Sequence, residues 1–249
     1  MNTSVVRLLG ASALLVLGLS ACSGPANTAE AGAASETSAA TATPSPTPTE
    51  DEFKMLTADE LAAITGAVKD SESVALSVMP AEKVSQALDQ MMSLMTEVQV
   101  EPAECNSIAT GTALKPDSNT TLAVGASTSS TAERTQTLSL LSGVEKEKLD
   151  QTLAQRGSEI DACRNISMDI GGMSMTAATT RLDSGAATPG AIAMQTDVTL
   201  PTGATQSTVM TFAVKGGVLI SAQASGSGVT SSDLTSAEAL LDQAAALID

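Results

Sequence analysis

The sequence predicts an α+β fold: an antiparallel sheet packed by helices, in a single domain with one disulfide. Three observations predict it. Apolar and polar residues alternate in short runs between Leu122 and Ser225, which is the period of strands with one buried face. Other stretches repeat apolar residues at three- and four-residue spacing, which is the period of helices. Two cysteines, Cys105 and Cys163, are left to pair within the folded part.

The elements follow in order. Thr57-Ala58-Asp59-Glu60 is a capping box and opens a helix that runs to about Lys69. Val74, Leu76 and Val78 alternate as a short strand. Pro80 suits the first turn of a second helix. Val84, Ala87, Leu88, Met91, Leu94, Met95 and Val98 make one apolar stripe on it, expected to face a core, and Glu101-Pro102 ends it. A short turn carries Cys105. Leu122, Val124 and Ala126 form one strand, Leu138 and Leu140 the next. A third helix starts near Val144, with Leu149, Leu153, Ile160 and Cys163 on one face.

Strands then dominate. Ile166, Met168 and Ile170 alternate, Gly171-Gly172 turns the chain, and Met173, Met175 and Ala177 begin the return. Ile192, Met194, Val198 and Leu200 mark another strand. The clearest hairpin spans Ser207 to Ser225. A three-residue loop, Lys215-Gly216-Gly217, is expected there. It would put Met210, Phe212 and Val214 on the same face as Val218, Ile220 and Ala222. Thr235-Ser236-Ala237-Glu238 is a second capping box, expected to open a terminal helix with Leu240, Leu241, Ala244, Leu247 and Ile248.

The N-terminus carries a different message. Arg7 and the α-amino group form a short positive region, and Leu8 to Leu19 is an apolar run too short to span a bilayer. Leu19-Ser20-Ala21-Cys22 follows, the pattern of a bacterial lipobox. Residues 1–21 are therefore expected to be a lipoprotein signal peptide, and Cys22 the lipidated first residue of the mature chain. Two or more acyl chains anchor stably where one is marginal. Residues 22–52 are an Ala/Ser/Thr/Pro tether, too poor in large apolar residues to offset ordering entropy. Pro44, Pro46 and Pro48 stiffen it locally. The folded domain is expected over 53–249. These features predict localisation at the cell membrane, lipid-anchored on the extracytoplasmic face.

Composition excludes several kinds of chemistry. The chain has 12 basic and 28 acidic residues, a net charge of −16. Such a surface repels phosphate backbones, so no nucleic-acid partner is expected. The chain has no histidine, which removes a Ser-His-Asp triad, a Cys-His dyad and histidine-bearing zinc sites. It has no Trp or Tyr, and Phe stands only at Phe53 and Phe212, so stacking platforms for sugars or bases are nearly absent. No Gly-x-Ser-x-Gly, Ser-x-x-Lys or phosphate-loop lysine occurs. Asp117-Ser118-Asn119 starts like a calcium loop, but Leu122 and Thr128 stand where glycine and glutamate belong, so it reads as a turn. The acidic pairs Asp59-Glu60 and Glu145-Glu147 sit at helix starts, where the dipole favours them. No catalytic residue, metal ligand or cofactor is assigned, and the chain is read as a non-enzyme.

Cys22 is taken by lipid, which leaves Cys105 and Cys163 in an oxidising compartment, the count for one disulfide. Closing that loop would stabilise by roughly 4 kcal/mol in the chain-entropy account. A reactive or metal-binding pair lacks support. Neither cysteine is in a Cys-x-x-Cys, and Glu101 and Glu104 would raise a nearby thiol pKa.

The order of helix, strand, helix, a Pro102-to-Cys105 turn, strands, helix, Cys163, further strands and a last helix resembles the extracellular sensor domain of mycobacterial serine/threonine kinase H. That PknH-type domain also occurs in stand-alone actinobacterial lipoproteins. The resemblance covers about residues 55–249. It implies ligand sensing or binding at the cell surface in a cleft, with no catalytic residues. The family typically carries two disulfides, where this chain has cysteines for one. A looser resemblance is to the LprG/LppX lipoproteins, which hold acyl glycolipids between sheet and helices. Met91, Met92, Met95, Met168, Met173, Met175, Met194 and Met210 would suit such a cavity. They would equally fill a core short of aromatics, and that reading is preferred. The expected function is a membrane-anchored, non-enzymatic ligand-binding or sensing module for a small-molecule, lipid or protein ligand. The alternative is a lipid or lipoglycan carrier.

Overall fold

The computed structural model describes residues 53–95, 97–106, 119–129 and 134–248. The lipobox, Cys22 and the tether lie outside the described residues, as do Asp117 and Ser118. In chain order the elements are α1 (Ala58–Ala67), β1 (Ser77–Val78), α2 (Ala81–Met95), β2 (Val98–Glu101), a 3-10 turn (Ala103–Cys105), β3 (Thr121–Ser129), β4 (Arg134–Ser142), α3 (Lys146–Ala162), β5 (Asn165–Ile170), β6 (Met173–Leu182), β7 (Ile192–Thr199), β8 (Thr205–Lys215), β9 (Val218–Gly226) and α4 (Ser231–Ala245). All nine strands join one antiparallel sheet in the order β1-β3-β4-β9-β8-β7-β6-β5-β2. The predicted α+β class and the Cys105–Cys163 disulfide are both present.

The sheet has two unlike faces. On the first, α1 and α4 close the largest core, where Leu61 and Leu76 meet Leu138, Leu140, Ile220, Leu240 and Leu241. Gly125 of β3 lets α1 approach, since a Cβ there would run into the Thr65 methyl. On the second face α3 crosses the strands. Its Leu149 packs with Leu141 and Val144, its Ile160 with Met194 and Phe212, and Cys163 beyond its end joins Ile166 and Met168. The disulfide therefore ties the end of α3 to the turn after β2.

Several expectations are corrected. The β8–β9 loop has two residues, with Lys215 opposite Val218. Gly216 and Gly217 both take positive φ, 55° and 83°, so together they make the tight turn that two left-handed residues allow. Register follows. Val218, Ile220 and Ala222 share the first face with Ala213 and Thr211, while Met210, Phe212 and Val214 turn to the second. The small residues make room for α4, and the large ones meet α3. The terminal helix starts four residues before the predicted box. Thr230 is its N-cap, reciprocally bonded with Asp233. Thr235 lies inside the helix and its hydroxyl bonds the Ser231 carbonyl at 3.2 Å. α2 ends at Met95, and Val98 to Glu101 form a separate edge strand against β5. Val84 is buried at 5% exposure, but Met91 and Met92 are 43% and 39% exposed, so the stripe of α2 does not face a core. The strand read at Val74 to Val78 shrinks to β1, with Leu76 buried and Val74 exposed.

Candidate functional site

The two halves of the first face differ. Under α1 and α4 it is apolar. Towards β7, β6, β5 and β2 the residues of the same face are Asp197 and Thr199, Thr176 and Ala178, Asn165 and Ser167, then Glu101. Strand alternation puts them there, because their neighbours Val198, Ala177, Ile166 and Val100 are buried against the disulfide on the second face. Sequence reading picked out those apolar partners. The polar residues between them are the surface, and in sequence they carry no signal of their own, because a polar strand face is normally only solvated.

These residues line an open cleft of about 250 Å³ that includes Asn165, Ser167, Thr176, Ala178, Asp197 and Thr199. Asp197 is its one carboxylate. Aspartate is disfavoured in mid-strand, and this one stands between Ala178 and Ser207 on the neighbouring strands. It is half-buried, has no side-chain hydrogen bond or ion pair among the described residues, and burial pushes its carboxyl up to about 6. Hydroxyls and an amide carbonyl offer donors and acceptors around it. Two residues back, Gln195 continues the column inward, buried at 3% exposure.

At the ends of β6 and β7 away from the cleft, α4 holds a loop. Residues 183–191 join β6 to β7 and are clamped by two carboxylates of α4. Glu238 accepts from the Ser184 hydroxyl at 2.9 Å and the Gly185 amide at 2.6 Å. Asp242 accepts from the Ala187 and Thr188 amides and the Thr188 hydroxyl at 2.7–2.9 Å. Glu238, predicted as a cap, is thus a buried clamp.

The predicted site residues are placed as follows. Cys105 and Cys163 are bonded and buried, and Cys22 lies outside the described residues. The methionines do not gather. Met168 packs beside the disulfide, Met194 and Met210 beside Phe212, and Met91, Met92 and Met173 are exposed. Among the described residues, no group of three or more Cys, Asp or Glu side chains converges as metal ligands, and no helix is long and apolar enough to cross a membrane.

No family model and no curated protein matches the chain. Among solved structures it is similar to the extracellular domain of PknH from Mycobacterium tuberculosis, at 11% identity and a TM-score of 0.43, over 76% of this chain and 92% of that one. It is also similar to an uncharacterised protein from Mycobacterium smegmatis, at 12% identity and a TM-score of 0.39, over 70% and 85% of the two chains. No residue role is carried across from either.

Proposed function

We propose that this chain is a lipid-anchored binding module of the cell envelope, held outside the membrane through Cys22, and that it takes a small, polar, hydroxyl-bearing ligand in the Asp197 cleft. The observation that carries the reading is the polar half of the first face. There, strands present Asn165, Ser167, Thr176 and Thr199 around a carboxylate with no partner among the described residues. A half-buried, unpartnered carboxylate is costly unless something bonds to it. Ligand hydroxyls can donate to the carboxylate at neutral pH and accept from it once protonated.

Binding fits the cleft better than catalysis. Acid–base or nucleophilic chemistry needs a second group in hydrogen-bond reach of the first, and the residues lining this cleft supply one titratable group. The carrier reading has less support, because the methionines that would line an acyl cavity are divided between separate clusters and the surface. The tether would join the domain beside the β8–β9 turn, where the Lys54 amide donates to the Gly216 carbonyl at 3.0 Å.

The test is mass spectrometry of the chain recovered from an actinobacterial envelope, with native and denaturing spectra of one sample. The expected result is a mature mass starting at an acylated Cys22, plus a small polar species that is lost on denaturation and absent from Asp197→Lys. A co-purifying acylated species retained in that variant would favour the carrier, and substrate turnover by the purified chain would overturn the binding reading.

A further inference from the structure

On the opposite face, α3 carries a cation in a place patterned for an apolar residue. Leu149, Leu153 and Ile160 form the stripe by which α3 meets the sheet. Arg156, three residues after Leu153 and four before Ile160, stands in line with them. It is half-buried, and burial pulls its guanidinium below the ordinary value while the nearby Glu159 charge acts against that.

The other arginines among the described residues all have partners. Arg134 bonds Asp233 and the Ser227 and Gly228 carbonyls, Arg164 bonds Asp161, and Arg181 bonds the Gly157 carbonyl. Arg156 has no hydrogen bond or ion pair with a described residue. Its guanidinium lies over the Phe212 ring, 5.4 Å from the centroid. A stacked guanidinium keeps its five N–H donors free for an in-plane acceptor. In a chain with 28 acidic residues, scarcity of carboxylates does not explain an unpaired arginine. Glu159 is already engaged by the Gln155 amide at 2.6 Å.

The surroundings tell which way the donors can be used. Gly157, one position on, faces Arg181 and Ile192, so the flank of α3 towards β6 is occupied. Arg156 lies about a hundred degrees round the helix from it, over the Phe212 ring of β8. The second face continues there from Phe212 to Ser221 of β9 and Ser139 of β4, with Gln223 and Thr137 alongside. These four are half-buried. They form a hydroxyl and amide floor one and two strands, about 5 and 10 Å, from the ring.

We infer that Arg156 and this floor form a second binding site, for a ligand bearing a single carboxylate group. A planar carboxylate matches the guanidinium fork and can take two parallel N–H bonds. One arginine inside a strongly acidic chain, with Glu159 nearby, balances one negative charge, so a dianion such as phosphate would be left uncompensated.

The experiment uses the full chain carrying Cys22→Ala, which removes the acyl anchor. Acetate and butyrate are titrated at constant ionic strength, with butanol as the uncharged control and inorganic phosphate as the dianion, while the arginine Nε–H resonances are followed by NMR. Butyrate is expected to shift the Arg156 resonance to saturation, butanol to leave it unmoved, and phosphate to bind at least about tenfold more weakly. Arg156→Lys, which loses the fork, should weaken butyrate binding by about tenfold, and Arg156→Met should abolish it. Arg156→Met should melt no lower than the parent, because methionine can pack on Phe212 without an unpaired charge. Butyrate binding that survives in a folded Arg156→Met chain, a parent that binds no carboxylate, or phosphate binding tighter than butyrate would each overturn the assignment.

Discussion

Helices α2 and α4 have the same length, fifteen residues, and opposite fates. α2 has the cleaner apolar stripe, yet among its residues with described side chains only Val84 is buried. α4 is two-thirds alanine, serine and acid, yet it buries Ala237, Glu238, Leu240, Leu241, Ala244 and Ala245. The difference lies in where the chain leads each helix. α4 follows β9, a central strand, and folds back onto the sheet it has just left. α2 joins β1 to β2, the two outermost strands at opposite edges, and a helix of about 22 Å tied at both ends is stretched between rims. Alanines help α4 come close, and two of its three carboxylates fasten the 183–191 loop. Amphipathicity shows which side of a helix can be buried, whereas connectivity decides whether it is.

The sharpest way to break this comparison is to truncate one apolar residue from each helix. Leu241→Ala removes a side chain with no exposure from the main core and should cost about 3 kcal/mol. Met91→Ala on the exposed stripe should change stability by less than about 0.5 kcal/mol. Both are read by urea denaturation at fixed pH. Equal losses would mean that α2 is as firmly packed as α4, against its exposure here.

A smaller effect tests the fastening. Glu238→Ala leaves the Gly185 amide and Ser184 hydroxyl without their acceptor and should cost about 2 kcal/mol. The loss should be local. Hydrogen exchange should rise at Gly185, Ala187 and Thr188 before the β8 and β9 amides respond. Uniform acceleration across the sheet would show that the clamp is part of the global core.

Much of this was legible in the sequence, and the gaps have physical causes. The capping box at Thr57, the Gly171-Gly172 turn and the cysteine pair depend on near neighbours or on counting, and they stand. The β8–β9 register depended on one residue of loop length. Matching large apolar residues across the turn favoured three residues, whereas two left-handed glycines close it in two, and the helices on either side decide which face takes Phe212 and which Ala213. The terminal helix is capped at Thr230, with Asp233 three residues on, so the Thr235 pattern falls inside a helix already begun nearer the end of β9. Asp197 and Arg156 were invisible for a shared reason. Each is polar at a position whose pattern explained itself without it, Asp197 on the alternate face of a strand and Arg156 inside an apolar stripe. Their surroundings come from strands distant in sequence.

The gentlest probe asks what lies beyond α4, where the first face is open at Asp197. Its carboxyl is raised from 3.8 to about 6 by burial, so between those values the folded chain holds a proton that the unfolded chain has lost. Stability contributed by this group is therefore present at low pH and lost as pH rises through about 6. Asp197 is only half-buried, and solvent screening leaves about 1 kcal/mol of the full linkage. Asp197→Asn should accordingly stabilise the chain by about 1 kcal/mol at pH 7.5 and by almost nothing at pH 4, measured as the difference between two urea curves at each pH. The variant keeps the size of the side chain and removes only the charge, so a pH-independent gain would point to packing instead. A loss at pH 7.5 would mean that the ionised carboxylate is held by a partner in solution, and the polar half would then be fastened as α4 is, by an acid that bonds across the fold.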